Sequence, residues 1–531
     1  MLLRILVVIV PCLLLADFAP DADASKDSRR ARPAQASLFV DSSGSDTNPC
    51  TAGAPCATFN RAYQLASRGE TVEVAAGVYG PQTIFAAQKT GSSYVVFQPP
   101  PGSRVTTGEL RINGARGVEF RNMTIGDYYV ANGSDSVVFR NDDTLVFFIR
   151  SASNVSIIGG RVGGTTHAES ATIGSTAGST VPSRNIVIDG VEFHDMTRVD
   201  APADHPECLF IQSVDGFVLR NSRFHGCDVF DFYDSNILVG PVSTNLLIEN
   251  NFLGTATAGG FYSMFFRNDP GETQGNIVVR NNSLQQGLHF DAGAYENTRV
   301  TANVGPLRQY QCTAGVTYAY NVWDNAQCGP TDRKAPLGFR DAASLDLHLV
   351  PGAPALGHGD PDSHPALDID GDMRPRTVAP DAGADQRETA AIVVGHSIGA
   401  VRIGMTRADV IGFYGKARRS IWRRFAPDRL RVQIALYRLH GGRFSVVYDG
   451  DTVVGVAAWS PYYSTAAGGG PGSTADGVRR FALVTKTTCG DVYHRVARGV
   501  DTYFTSSRDA TIGGVLMLRL AYGPYCKPRT S

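Results

Sequence analysis

One short motif returns along the middle of the chain, and it limits the fold more than any other feature. The motif is apolar-x-apolar-x-(Asn/Gly)-x-x-apolar, and its six copies place the Asn or Gly at positions 122, 159, 190, 221, 250 and 281. The last five of these pivots are separated by 31, 31, 29 and 31 residues. A nearly fixed period of this size is typical of repeat architectures.

The local pattern indicates which kind of repeat this is. Alternation with a period of two predicts a strand that buries one face. The Asn or Gly that follows tolerates left-handed backbone angles, so each copy predicts strand, sharp turn, strand. Such units stack as parallel strands about 4.8 Å apart. We expect Asn221, Asn250 and Asn281 to form a ladder of side-chain hydrogen bonds.

These repeats resemble the pectate-lyase-like family of right-handed parallel β-helices, in which asparagine ladders occupy this turn. The resemblance covers residues 37 to 387, and we assign 37–390 to the β-helix. A short amphipathic helix around 61–66 is expected to close the first end of the coil, as solenoids require. The family resemblance implies a mainly β protein with a groove on one outer face that binds sugar polymers.

The segments 368–375 and 380–385 are rich in Asp and Gly and resemble the closing segment of such proteins. Two interpretations remain open for them. Carboxylates at this density are typical calcium ligands, so calcium is the one cofactor that the sequence suggests. Capping turns held by Asp side chains explain the same composition without a metal, and we assign no metal ligands.

The beginning of the chain predicts export. Residues 1–24 have a short basic start, an apolar run and a small-x-small site, which is the pattern of a signal peptide, and 25–36 resemble a linker. The apolar run is too short to predict a stable membrane span. Eight cysteines remain after residue 24, and an even number in an exported protein predicts disulfides. The proposed pairs are Cys50–Cys56, Cys208–Cys227, Cys312–Cys328 and Cys489–Cys526.

The charge of the chain is divided unevenly. The net charge is −1, but residues from His396 onward carry 20 basic and 8 acidic residues, or +12, against −13 for the rest. This division predicts a separate, small, basic α+β domain over 395–531. Its opening, Gly404-Met405-Thr406, resembles β-lactamase-inhibitor-like domains, which implies protein binding. The basic residues between 416 and 443 predict either a surface for an anionic wall polymer or a solvated face.

The candidate site lies in the central coils. We expect Arg267 to neutralise a substrate carboxylate, His289 to act as acid or base, and Asp231 to orient the sugar or hold a cation. Alternation of side chains would place all three on the outer face of one sheet. The side chains expected to contact substrate are Asp204, His205, Glu207, His225, Asp228, Asp234 and Asp291. The alternative is that all of these are ordinary solvent-facing strand and turn residues.

Two functions therefore remain open. The first is a secreted, extracellular protein that binds or processes acidic polysaccharide, as a lyase, hydrolase or epimerase. The second is a non-catalytic surface or matrix protein whose C-terminal domain binds a protein or a wall polymer. Export argues against a nucleic-acid partner, and the sequence does not indicate an oligomeric state. This fold carries unrelated activities, so the motif alone does not decide between the two.

Overall fold

The fold is described from a computed structural model. It describes residues 36–166, 170–176, 179–197, 199, 207–227, 230–235, 241–254, 262–307, 312–350, 352–375, 378–425, 430–479, 482–487, 490–506 and 511–522. Three long parallel sheets wind around a single apolar core, and an antiparallel sheet follows them in the chain. The expected mainly β fold, a right-handed parallel β-helix with a small α+β unit after it, is confirmed.

The first sheet contains the strands that precede the pivot turns. Its strands are Leu38–Val40, Thr71–Val74, Val95–Gln98, Arg116–Arg121, Asp135–Arg140, Ser153–Ile158, Ser183–Asp189, Val214–Arg220, Thr244–Glu249, Thr273–Arg280, Ala294–Glu296, Thr298–Thr301 and Val316–Ala319. The twelve apolar positions that the motif assigns to these strands, from Val118 to Val279, are all at most 3% exposed. Burial of this alternating row is therefore what holds the strands in register.

The second sheet contains the strands that follow the pivot turns. Its strands are Gly77–Tyr79, Val105–Thr107, Thr124–Ala131, Asp143–Arg150, Arg161–Thr165, Glu192–Met196, Arg223–Cys227, Phe252–Leu253, Ser283–Leu284, Val304–Gly305, Val322–Trp323 and Arg333–Lys334. Phe193 and Phe224 stack in its inner face with ring centroids 4.4 Å apart.

The third sheet completes each coil. Its strands are Gln82–Phe85, Leu110–Asn113, Ala171–Gly174, Leu209–Ile211, Phe230–Asp234, Tyr262–Phe266 and Leu288–Phe290. The long strands Thr124–Ala131 and Asp143–Arg150 run through both the second and the third sheet. A residue that follows a pivot can therefore face outward either on the second sheet or on the third.

The pivot residues adopt the expected left-handed conformation. Asn122, Asn221 and Asn281 have φ values of 56°, 54° and 50°. One coil was not identified from the motif. Asn141 is also a pivot, with φ of 53°, but Thr144 occupies the position where the motif requires an apolar residue. This coil and the one before it are also shorter than the period of 31 residues.

The asparagine ladder lies one residue later than expected. Asn250 does donate to Asn221 at 2.7 Å, but Asn281 donates to the carbonyls of Asp381 and Gly383. Instead, a continuous ladder of side-chain hydrogen bonds joins the residues that directly follow the pivots. These residues are at most 4% exposed. The members of this ladder are Asn251, Asn282, Asn303, Asn321 and Asp332, joined at 2.9 to 3.1 Å.

A helix closes the first end of the coil, as expected. It spans Phe59–Leu65, and the Thr58 hydroxyl accepts from the backbone N–H of Arg61 at its start. Phe59 is fully buried and packs on Phe97 with ring centroids 5.3 Å apart. The helix thereby covers the apolar residues that the first coil would otherwise leave open to water.

Three of the four expected disulfides are present. Their Cα atoms lie 4.7 Å apart in Cys50–Cys56, 5.4 Å in Cys208–Cys227 and 5.2 Å in Cys312–Cys328. The Cys208–Cys227 bond joins adjacent coils, because Cys227 pairs in register with Met196 of the preceding coil. Cys489 and Cys526, the signal peptide and nearly all of the linker lie outside the described residues. The three disulfides fit an oxidising compartment, and export itself stays a prediction.

The closing segment packs along the ladder. It contains the strands Phe339–Asp341 and Asp346–Leu349, with a 3-10 turn over Ala342–Ser344. Arg374 is only 1% exposed and donates to the Asn250 side chain at 3.0 Å and to the carbonyl of Gly383 at 2.9 Å. The buried cation therefore fastens this segment to the pivot turns through hydrogen bonds rather than apolar contact.

The C-terminal part has a separate apolar core and an eight-stranded antiparallel sheet. Helix Arg407–Tyr414 precedes four strands, and helix Asp476–Arg479 precedes the other four. In chain order these strands are Arg419–Phe425, Leu430–Leu439, Gly442–Asp449, Thr452–Ala458, Leu483–Thr487, Gly490–Ala497, Val500–Ser506 and Ile512–Arg519. Smaller elements are the strands Ile392–Val393, Ser397–Ile398 and Val401–Arg402 and the 3-10 turn Leu520–Tyr522. The exact domain boundaries stay predictions.

Candidate functional site

The outer face of the third sheet carries a column of stacked rings. Phe210, Tyr233, Phe265 and His289 occupy the same register position in four successive coils. Their ring centroids are 5.3, 5.2 and 4.9 Å apart in that order. The first three rings are stacked and present their edges to solvent, whereas the His289 ring is tilted by 46° from that of Phe265.

His289 lies at the end of this column and is paired. Its Nε2 is 2.9 Å from Oδ1 of Asp291, and its ring stacks on Tyr262 with centroids 4.8 Å apart. The side chain is 6% exposed. Within the described part of the chain, no hydrogen bond engages its Nδ1. Asp291 therefore orients the imidazole through one ring nitrogen and leaves the other nitrogen for proton transfer.

Arg267 lies on the same outer face, one coil before Asp291. The N–H of Asp291 donates to the carbonyl of Phe266, which sets Arg267 beside Asp291 in register. Its guanidinium donates to Asp269 at 3.1 and 3.0 Å, and its side chain is 38% exposed. Hydrogen bonds to Tyr233 and Asp269 raise the pKa of Arg267. Arg267, His289 and Asp291 therefore lie on the same outer face of the third sheet, as their alternation predicts, and their roles stay predictions.

Asp231 is a correction to the expected site. It does face outward by alternation, but it is 0% exposed, and burial raises its pKa well above the usual range. No described residue donates a hydrogen bond to either carboxylate oxygen. The cause is its place at the corner between two sheets, where the neighbouring Ser263 donates to the carbonyl of Leu253. Asp231 therefore cannot contact a polymer on the open face in this conformation.

Asp234, which the sequence analysis expected to contact substrate, is also a correction. It lies in register with Ile211 and Phe266, both of which point into the core, and it is 1% exposed. Burial raises its pKa to about 7, opposed by a hydrogen bond from Ser243. Alternation along the strand places Phe232 and Asp234 on the same, inner face. The burial of Asp234 could therefore have been predicted from the sequence.

Two further expected residues, His225 and Glu207, have partners outside this cluster. His225 belongs to the second sheet, where its Nε2 lies 2.9 Å from Glu192. Glu207 is paired with Ser170: its N–H donates to the Ser170 hydroxyl at 2.9 Å, and that hydroxyl donates to the Glu207 carboxylate. Asp204, His205 and Asp228 lie outside the described residues. The expectation that all of these stack as one sheet is wrong for His225, because each coil turns a corner between the two sheets.

The aromatic residues of the site were not predicted. Tyr262 and Phe265 pack on the ring of His289, which is 6% exposed, and Tyr233 hydrogen-bonds Arg267. Their signal in the sequence is the recurrence of a large ring at alternate positions of successive strands. Stacking across coils depends on register, which a single strand does not specify.

The Asp-rich closing segment consists of capping turns. Asp368 accepts from the N–H groups of Asp370, Asp372 and Gln386 at 2.7 to 2.9 Å. Among the described residues, ligand atoms of His348, Asp370 and Asp385 lie within 4.8 Å of one another. His348 is already bonded to Asp370 at 2.8 Å and to Asp346 at 2.5 Å, and these bonds raise its pKa to about 9.

No family model and no curated protein matches this chain. Among solved structures it is similar to a pectate lyase, Pel9A, with 14% identity, a TM-score of 0.41 and coverage of 66% of this chain and 96% of the other. A rhamnogalacturonan lyase shares 12% identity with a TM-score of 0.37, covering 55% and 88%. The surface adhesin PfbA of Streptococcus pneumoniae shares 12% with a TM-score of 0.30, covering 50% and 74%.

The assignment of the fold rests on the sheet topology described above. Across the described ranges, no helix is long and apolar enough to cross a membrane.

Proposed function

We propose that this protein is an extracellular polysaccharide-binding or polysaccharide-processing β-helix protein, acting on an acidic sugar polymer. The observation that carries the proposal is the association of Arg267 with the His289–Asp291 pair on one outer face of the third sheet. A face of stacked strands suits an extended polymer, because equivalent positions repeat along the coil axis.

The chemistry that these groups favour is elimination from a uronic acid. A guanidinium that binds the sugar carboxylate withdraws charge from it and makes the neighbouring C5 proton more acidic. A neutral histidine nitrogen takes that proton as the C4–O bond breaks and a C4=C5 double bond forms, and the departing glycosidic oxygen takes a proton from water. In this scheme Arg267 neutralises, His289 is the base, and Asp291 orients the imidazole. Asp231 would join only if its surroundings opened.

The test is a screen of acidic polysaccharides for unsaturated products and for new reducing ends. Arg267→Ala and His289→Ala should each lower the rate by at least about a hundredfold, the range that loss of a positioned acid or base produces. Arg299→Ala is the matched control, because Arg299 is exposed on the outer face of the first sheet. Turnover that survives both site substitutions would move the activity to another face.

A second candidate function is binding without catalysis. It is favoured by the burial of His289, whose side chain is 6% exposed, and by the full burial of Asp231. In that case wild-type protein would be retained on an acidic polysaccharide matrix without releasing products, and Arg267→Ala would weaken retention more than Arg299→Ala.

A further inference from the structure

A second groove opens on the outer face of the second sheet, near the beginning of the coil. Its volume is about 370 Å³, and it extends over successive coils. It lies on a different sheet from Arg267 and His289. The side chains that matter for its chemistry are Thr106, Thr124, Asp143, Leu145, Arg161 and His194.

The polar side chains form a column along the coil axis. Thr106 pairs with Thr124, Thr124 with Asp143, and Asp143 with Arg161, one residue from each of four successive coils. All four are exposed. Adjacent coils are about 4.8 Å apart, which is close to the length of one pyranose ring. A sugar chain lying along the axis would therefore meet one hydrogen-bonding side chain for roughly every ring.

The charged members have hydrogen-bonding capacity left for a ligand. Among the described residues, no hydrogen bond or ion pair engages the Asp143 carboxylate. Arg161 uses its Nε to bind Glu192 at 2.9 Å, and its side chain is 51% exposed. A free carboxylate beside a guanidinium offers two acceptors next to several donors, which complements the adjacent hydroxyls of a sugar.

The floor of the groove supplies apolar contact. Leu145 is 45% exposed beside the polar column. Gly126 and Gly163 lie on either side of it along the axis and have no side chains to fill the space. An exposed leucine in a concave polar surface can cover the C–H face of a sugar ring while the hydroxyls bind the column.

We propose that this groove binds a neutral carbohydrate chain, at a site separate from the one on the third sheet. The charge balance selects a neutral ligand, because Glu192 compensates Arg161 while the charge of Asp143 is uncompensated. An acidic polymer would meet a net negative surface here. The inference goes beyond the proposed function and does not depend on it, since no residue is shared between the two sites.

The experiment titrates the full-length protein with neutral hexasaccharides of glucose, mannose and xylose, and with hexagalacturonate, by calorimetry. We expect at least one neutral hexasaccharide to bind. Asp143→Ala should weaken that binding at least about tenfold, a loss of the size expected for a charge-assisted hydrogen bond. Thr124→Trp should block it by filling the groove from an exposed position. Asp362→Ala, an exposed aspartate of the closing segment, is the matched control and should change nothing.

Arg267→Ala should also leave neutral hexasaccharide binding unchanged, which separates this site from the third-sheet site. The inference is overturned if no neutral hexasaccharide binds at millimolar concentration, or if binding is equal in wild type, Asp143→Ala and Thr124→Trp. It is also overturned if hexagalacturonate competes for the same site as well as the neutral sugars do. Circular dichroism of each variant confirms that the coil is intact.

Discussion

Asp142 provides a quantitative test of the packing at the pivot turns. It follows the pivot Asn141, at the position where later coils have Asn251 and Asn282, and it is 6% exposed. Its carboxylate accepts from the N–H of Met123 at 2.8 Å and of Arg140 at 3.1 Å. Burial outweighs these bonds and raises the pKa of Asp142 to about 8.

The sign of the effect follows from comparing the two states. In the unfolded chain the pKa is near 3.8, so the proton is lost there first as the pH rises. Below about pH 4 Asp142 therefore does not lower the free energy of unfolding. Between about pH 4 and 8 that free energy falls as the pH rises, and above about pH 8 Asp142 lowers it no further. At about 1.4 kcal/mol for each pKa unit, the penalty is on the order of 4 kcal/mol at pH 7.

The substitution Asp142→Asn removes the titration and keeps the shape. An amide at this position is what the ladder uses in later coils, although one of the two backbone N–H groups loses its acceptor, at a cost of about 1 kcal/mol. We expect a net gain of about 3 kcal/mol at pH 7 and no gain below about pH 4.5. In thermal unfolding the melting temperature of the variant should exceed that of wild type by a few degrees at pH 8.

The assay is the difference in melting temperature between variant and wild type, measured from pH 4 to pH 9. Taking the difference cancels the other buried carboxylates, including Asp231 and Asp234, which titrate in both proteins. Asp143→Asn is the matched control, since it is the adjacent residue but exposed. If the curves of Asp142→Asn and wild type stay parallel across this range, Asp142 ionises normally in the folded protein and the reasoning is wrong.

Three further predictions concern other parts of the molecule. Asn282→Ala should destabilise the coil by about 3–5 kcal/mol in thermal unfolding, because it leaves the buried backbone N–H of Asn251 without its acceptor, breaks the side-chain bonds to Asn251 and Asn303, and leaves a cavity in the ladder; a loss below about 1 kcal/mol would contradict this. Glu388→Gln should lower the melting temperature of the C-terminal part, because Glu388 accepts from Tyr414 at 2.6 Å and Tyr463 at 2.8 Å and pairs with His440 at 2.7 Å; an unchanged calorimetric profile would refute it. The full chain should bind heparin at low salt and elute as salt rises, because about 1 M salt shortens the electrostatic screening length to about 3 Å. Arg423→Glu should elute at lower salt than wild type. Equal elution of the two proteins would show that the basic strand is only a solvated face.

Much of the fold was determined by local pattern. The alternating apolar residues, such as Val155 with Ile157 and Phe217 with Leu219, are all buried as predicted, because period-two burial depends only on neighbouring residues. The Asn and Gly pivots likewise adopt positive φ, since that preference belongs to the residue itself. The disulfide Cys208–Cys227 also followed from the repeat, which sets the two cysteines one coil apart.

The tertiary structure alone decided how adjacent coils meet. Two asparagines follow each other at 250 and 251, and only the geometry of the turn selects Asn251 for the continuous ladder. Asp231 has the right alternation for an outer face but lies buried at a corner between two sheets. His225 lies on the second sheet and His289 on the third, because the chain turns between them. Each outcome depends on contacts between residues far apart in sequence, and a strand pattern carries no information about such contacts.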